Sequence, residues 1–190
     1  MELKGSKTEQ NLLKAFAGES QARNRYTYFA SQAKKEGYQN IAAIFQETAN
    51  HEKEHAKRLF KFLQGGELEI TAAFPAGVIS NTLDNLLASA AGEHYENSEM
   101  YPEFEKTARE EGFTEIATVF KSIIEAEKYH EERFNALVEL VKEGKLFKRS
   151  KVYFWKCTNC GYIHAGTEPP KVCPACGHPQ GYFVREAKEW

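Results

Sequence analysis

Residues 34–59, KKEGYQNIAAIFQETANHEKEHAKRL, align without a gap on residues 109–134, REEGFTEIATVFKSIIEAEKYHEERF. Gly37 then pairs with Gly112 and His55 with His130, at an offset of 75. Upstream, AGES at 17–20 matches AGEH at 91–94, at an offset of 74. A duplication of this kind constrains the fold strongly, because each copy must form the same unit and bury its apolar face against the other. Ile41, Ile44, Phe45 and Thr48 mark one face at three- and four-residue spacing, and Ile116, Val119, Phe120 and Ile123 mark another. The unit is therefore a helical hairpin, and two such hairpins make a four-helix bundle.

Glycines at 37, 65–66, 112 and 144 read as helix ends, which predicts helices over 6–36, 38–64, 81–110 and 113–143. The segment 65–80 holds Gly65-Gly66 and Phe74-Pro75-Ala76-Gly77, and is long enough to carry the chain across the bundle as one long crossover. The offset changes from 74 to 75 between Glu96 and Gly112, so the third helix holds an extra residue. Pro102 lies in that window and cannot donate to the carbonyl of Ser98, so a π-bulge or kink is expected near 97–102. After Lys148 the helical period stops and the chain turns rich in aromatic residues, Cys, Gly and Pro. The expected domains are a bundle over 1–148 and a small metal-sized unit over 149–190.

At 190 residues the chain supports one core of ordinary size plus a small module. Its formal net charge of −2 gives no field that would draw nucleic acid or an anionic membrane. The N-terminus, MELKGSKTEQ, is too polar for a signal peptide, and no apolar run is long enough to span a bilayer. A cytoplasmic location follows as an expectation, and there cysteines serve more often as metal ligands than as disulfides.

His51-Glu52-Lys53-Glu54-His55 satisfies the helical His-Glu-x-x-His signature of zinc proteases. The repeat removes that reading, since His51 pairs with Ala126. What occurs twice is Glu-x-x-His, at Glu52 and His55 and at Glu127 and His130, with each pair on one helix face. Each half adds an upstream Glu, Glu19 or Glu93, which completes the ligand set of bundle-type di-iron carboxylate proteins. Counted from Gly37, Glu19 and Glu52 lie roughly 27 and 23 Å away along their helices, and the second half repeats this, so all four helices present ligands at one level. Such a cluster of buried carboxylates without basic partners is too costly to persist without cations. Glu54, Glu131 and Glu132 read as surface residues, and His51 and His94 as facing solvent or a neighbouring helix. Glu96 follows Glu93 by three and has Ala22 as its counterpart, so it reads as a seventh ligand that makes the two metals unequal. Tyr26 and Tyr101, about two turns beyond Glu19 and Glu93, are candidates to donate hydrogen bonds to ligand carboxylates.

The tail contains Cys157-x2-Cys160 and Cys173-x2-Cys176, each pair followed by glycine. This is the pattern of a tetrahedral four-cysteine metal site built from two knuckles. Gly161 and Gly177 allow the knuckle backbone, and Trp155, Tyr162, Phe183 and Trp190 are available to pack around the metal. The spacing leaves zinc and mononuclear iron both open.

A duplicated Glu…Glu-x-x-His bundle followed by a four-cysteine knuckle unit resembles the rubrerythrin family over nearly the whole chain. The resemblance implies an all-α, ferritin-like four-helix bundle with a C-terminal rubredoxin-like domain. It assigns a non-haem di-iron centre to Glu19, Glu52, His55, Glu93, Glu96, Glu127 and His130, and a mononuclear iron to Cys157, Cys160, Cys173 and Cys176. It implies a peroxidase that reduces hydrogen peroxide to water, with electrons from an NAD(P)H-linked reductase, often through a rubredoxin-type carrier. Glu96 and His55 correspond to the residues between which one iron moves with redox state, and Glu96, His55, Tyr26 and Tyr101 are the expected catalytic group. It also implies a head-to-tail homodimer, because each tail should lie more than ~25 Å from its own di-iron site, judged from helical rise. The rival readings are an iron-storing ferroxidase with a zinc tail, and a regulatory protein that uses the bundle as scaffold.

Overall fold

The computed structural model describes residues 2–187, so Trp190 lies outside the described residues. Helix α1 (Lys7–Lys35) begins at Ser6, whose side chain accepts the amide of Glu9 at 3.0 Å. It turns at Gly37 (φ +85°) into α2 (Gln39–Phe60). The second hairpin pairs α3 (Thr82–Tyr95) and α4 (Tyr101–Glu110), which form one helix through a π-turn at Glu96–Met100, with α5 (Thr114–Lys142). Each hairpin packs internally, α1 on α2, and α3 and α4 on α5. No helix of the described residues is long and apolar enough to cross a membrane.

The two halves cap each other. The carboxylate of Glu111, in the turn before α5, accepts the amides of Lys7 and Thr8 at 3.1 and 2.8 Å, at the start of α1. Glu36, its repeat counterpart in the turn before α2, accepts the amide of Thr82 at 3.0 Å, at the start of α3. Each acid fills donors that a helix start leaves unpaired, and its charge suits the positive end of the helix dipole.

The second helix ends at Phe60 rather than at 64. Its last turn tightens, with Phe62 and Leu63 donating to Leu59 and Phe60 at 3.1 Å, and Gly65 and Gly66 follow at φ +82° and +90°. The crossover thus spans 61–81. The expected π-turn is present, and the amide of Tyr101 reaches the carbonyl of Glu96, five residues back. The extra residue absorbs the change of offset, so that Glu93 stays in the register of Glu19 while Tyr101 stays in that of Tyr26.

The core is two clusters with a polar layer between them. One gathers Tyr26, Phe29, Phe45, Phe134 and Leu86, and the other Tyr101, Phe104, Phe120, Leu12 and Leu59. Phe45 and Phe120, like Phe29 and Phe104, are repeat counterparts, so the aromatic packing is duplicated along with the helices.

Beyond α5, Leu146 still packs in the bundle core, whereas the amide of Arg149 donates to Thr167 of the tail. The tail is a three-stranded antiparallel sheet, β1 (Tyr153–Cys157) lying between β2 (Ile163–Gly166) and β3 (Phe183–Arg185). It rests on the α1–α2 turn of its own bundle. Gly181 approaches so closely that a Cβ there would overlap the backbone carbonyl of Gly37.

Candidate metal centres

Glu19, Glu52, Glu93, Glu127 and His130 are all at most 2% exposed and meet in the layer between the two apolar clusters. The His55 Nδ1 stands 3.0 Å from Glu127 Oε1, 3.3 Å from Glu52 Oε2 and 3.5 Å from Glu19 Oε2. The His130 Nδ1 stands 2.7 Å from Glu127 Oε2, 3.3 Å from Glu52 Oε1 and 3.5 Å from Glu93 Oε2. Glu52 and Glu127 therefore turn one oxygen to each histidine and bridge two adjacent groups, while Glu19 and Glu93 each belong to one. Within each group the candidate ligand atoms lie within 4.8 Å of one another.

The chemistry of this layer is incomplete without cations. Glu19 Oε2, Glu52 Oε1, Glu93 Oε2, both oxygens of Glu127 and the His130 Nδ1 are buried with no hydrogen-bond partner. Among the described residues no Lys or Arg pairs with any of the four carboxylates. Burial first, and then the charge of Glu52, push the Glu19 carboxyl up to about 7. Burial and then Glu52 likewise raise Glu93. Burial works against a charged His130, yet the carboxylates of Glu127, Glu52 and Glu93 outweigh it and lift the ring to about 12. Protons are being held where positive charge is needed, and two divalent ions would replace them. The groups are positioned for a di-iron site.

Tyr26 and Tyr101, both buried, donate across the halves: Tyr26 to Glu93 and Tyr101 to Glu19. Each phenol belongs to one apolar cluster and fixes a ligand contributed by the other half.

Glu96 stands apart from the other six. It is half-buried, and neither ligand group includes it. It opens the π-turn and lines a cavity of about 280 Å³ beneath residues 71–75 of the crossover, with Asn11, Lys14 and Arg25 also on the wall. Burial, then the charges of Glu93 and Glu19, hold its carboxyl well above the usual range. His55, not Glu96, completes the first group in this arrangement.

His51 packs on a neighbouring helix as expected, but the neighbour is a candidate ligand: its Nδ1 is 3.1 Å from the His130 Nε2. His94 pairs with Glu131 at 3.1 Å on the surface. Sequence reasoning gave His51 no role, although its position one turn before His55 on a ligand-bearing helix was the available signal.

In the tail the four sulfurs converge within 4.8 Å, and Cys157 faces Cys176 at 3.7 Å, as Cys160 faces Cys173. These separations are far above the ~2.05 Å of a disulfide. They match the edge of about 3.8 Å expected of a tetrahedron with ~2.3 Å metal–sulfur bonds. Gly161 and Gly177 take φ of +77° and +72°, closing both knuckles. The His178 amide, donating to Cys176, holds that thiol down at about 6. Trp155 and Phe183 are buried beside Cys157 and Cys173, with Tyr162 partly buried against them.

Sequence and structure comparisons agree with this geometry. The Rubrerythrin family profile matches residues 10–138, and the profile "Rubrerythrin, rubredoxin-like domain" matches residues 155–184. A rubrerythrin of Nitratidesulfovibrio vulgaris is 60% identical over 188 residues, which is 99% of this chain and 98% of the relative. A rubrerythrin of Porphyromonas gingivalis is 60% identical, with 95% and 90% covered. Nigerythrin, solved in its fully reduced, all-ferrous state, superposes with a TM-score of 0.64 at 34% identity, covering 96% of this chain and 91% of that one. The bacterioferritin of Desulfovibrio desulfuricans shares the bundle fold, with a TM-score of 0.64 at 24% identity and coverage of 73% and 82%. One profile spans the ligand-bearing helices and the other the thiol knuckles, and the chain belongs to the rubrerythrin family.

Proposed function

We propose that this chain reduces hydrogen peroxide to water in defence against oxidative stress, using electrons that an NAD(P)H-linked reductase or a rubredoxin-type carrier delivers through the four-cysteine site. The observation that carries this reading is the conjunction of two bridged carboxylate–histidine groups, buried without counter-charge, with four convergent thiols in one chain. Glu19, Glu52, His55, Glu93, Glu127 and His130 hold two irons, and Cys157, Cys160, Cys173 and Cys176 hold a third. Bound there, the irons supply the electrons and the positive charge that splitting a peroxide O–O bond requires.

The protein's own groups supply order and protons. Tyr26 and Tyr101 each hold one oxygen of a ligand carboxylate, which leaves the other to face the metal position. Turning one peroxide into two waters takes up two electrons and two protons. Glu96 keeps its proton in this half-buried, carboxylate-rich setting and sits on a cavity wall beside the ligands, so it donates a proton at the edge of the site and is reloaded from the cavity. The reduced thiols and the donor chemistry suit the cytoplasm.

Metal analysis and a donor-linked peroxide assay test this together. The expected result is about three irons per chain, two in the bundle and one in the tail, with thiolate-to-iron charge-transfer absorbance. Zinc in the tail with oxygen-driven iron oxidation would favour a ferroxidase instead. Replacing Glu96 with Ala should leave metal content unchanged while peroxide turnover falls at least about tenfold. Turnover close to that of the parent would remove Glu96 from the mechanism.

The homodimer belongs to the same proposal. The tail touches the α1–α2 turn at Gly181, and Glu19 lies roughly 27 Å along the helix from Gly37, a helical separation that favours transfer between chains over transfer within one. A head-to-tail pair brings each tail to the partner's bundle. A chain carrying Cys160→Ser and one carrying Glu93→Ala, inactive alone, should regain donor-dependent activity when co-expressed as mixed dimers. No recovery in proven mixed dimers would overturn that arrangement.

A further inference from the structure

His51 is the one member of the His-Glu-x-x-His run that the repeat does not reproduce, since Ala126 stands at its counterpart position. Its ring lies beside that of His130, 11° from parallel with centroids 5.3 Å apart, and its Nδ1 is 3.1 Å from the His130 Nε2. His130 is 2% exposed and points its other nitrogen, Nδ1, at Glu52, Glu93 and Glu127. An imidazole that binds a metal through Nδ1 must carry its proton on Nε2. That N–H meets the lone pair of the His51 Nδ1. The opposite polarity, with His51 donating, would need a proton on the His130 Nδ1, where the metal is to be held.

His55 has no such support. Its Nδ1 faces Glu19, Glu52 and Glu127, and its Nε2 has no hydrogen-bond partner among the described residues. The position that would supply one, by the repeat, is Ala126. The two histidines are therefore equal in sequence motif and unequal in support.

We propose that His51 is a positioning residue that accepts the His130 Nε2–H, locks that ring on the metal position shared with Glu93, and leaves the position shared by His55 and Glu19 the looser of the two. This rests on the metal-binding reading above and extends it. The bundle site becomes asymmetric on its histidine side as well as at Glu96. Partners of this kind, behind a metal-bound histidine, typically change metal affinity about 10- to 100-fold.

The test uses the full-length chain, stripped of metal and reloaded with zinc, which is diamagnetic and leaves peroxide turnover out of the measurement. The parent should take two zinc ions in the bundle with unequal affinity, and nuclear magnetic resonance should show one exchange-protected imidazole N–H, on the His130 Nε2. His51→Ala should remove that protection and weaken one bundle position about 10- to 100-fold, with helix content unchanged. His51→Gln, whose amide oxygen also accepts, should restore most of the affinity, which a loss of packing alone would not allow. Ala126→His should add a second protected N–H and tighten the weaker position. Unchanged affinities in His51→Ala, no rescue by Gln, or a protected proton on His51 with His130 bound through Nε2 would each overturn the proposal. A parent that takes up no zinc in the bundle would bring down the metal reading and this one together, whereas two bound ions without a His51 effect would bring down this one alone.

Discussion

The bundle buries two duplicated aromatic clusters, around Tyr26, Phe45 and Phe134 and around Tyr101, Phe104 and Phe120, on either side of its ligand layer. The tail buries Trp155, Cys157, Cys173 and Phe183, and half of that core is metal ligand. Metal plays opposite parts in the two. The bundle has enough apolar surface to fold around a ligand layer that disfavours the fold when empty, so its cations relieve a cost. The tail has too little apolar surface to order three short strands, so its cation is the centre of the core. One region tolerates its site; the other is made by it.

Complete metal removal is the largest test of that contrast. In small four-cysteine units the metal-binding free energy, on the order of 10 kcal/mol, is also the folding free energy. Stripped protein should lose hydrogen-exchange protection across β1 to β3, including the Cys157 and Cys173 amides that donate to Tyr162 and His178. The amides of α1 to α5 should stay protected. A tail that remained protected without metal would erase the distinction.

The empty bundle should then show its strain as a pH dependence. Burial and Glu52 raise Glu19 from 4.5 to about 7, so the folded state binds a proton more tightly than the unfolded chain does. Stability from this group is fully present below its unfolded pKa and is lost as pH rises through about 7. His130, lifted from 6.5 to about 12 against the opposing effect of burial, acts in the same direction at higher pH. The denaturation midpoint of metal-free protein should fall between weakly acidic and weakly alkaline solution. Metal-loaded protein should show the reverse below neutrality, because its ligands must shed protons to bind. Parallel curves would mean that the layer is balanced by something other than metal.

The bundle was legible because duplication turns single weak signals into paired ones. One Glu-x-x-His is ambiguous, but Glu52–His55 and Glu127–His130, with Glu19 and Glu93 at one level, point to a ligand layer, and the structure builds it. The π-turn was legible for the same reason, as a change of offset beside Pro102. Contacts without a local pattern were hidden. Glu36 and Glu111 look like surface acids in turns, and only tertiary placement makes each the cap of a helix in the opposite half. Glu96 has the right spacing for a ligand, yet neither that spacing nor the change of offset shows that the π-turn sets it on a cavity wall. His51 was discounted because the repeat lacks it, and that asymmetry is what gives it a distinct neighbour.

The smallest expected effect concerns the seam between the two regions. Gly181 lies in the single turn Gln180–Tyr182, and a side chain there would strike the carbonyl of Gly37, which is backbone and cannot swing aside. That carbonyl sits in a turn fixed by the φ of Gly37 and by the Tyr38 amide bonded to Ala33 at 2.9 Å. The backbone of Gly181 is not among the positive-φ glycines, so alanine is acceptable to the tail's own fold. Gly181→Ala should therefore separate docking from folding. The tail should keep its metal, its thiolate absorbance and its exchange protection, and the bundle should denature within ~1 kcal/mol of the parent, as expected for loss of a small contact between domains. What should change is the tumbling of the tail, which should become faster than that of the bundle in relaxation measurements. If the substitution strips the tail of metal, the two regions are not independent folding units; if tumbling stays locked to the bundle, the Gly37 contact is not what holds them together.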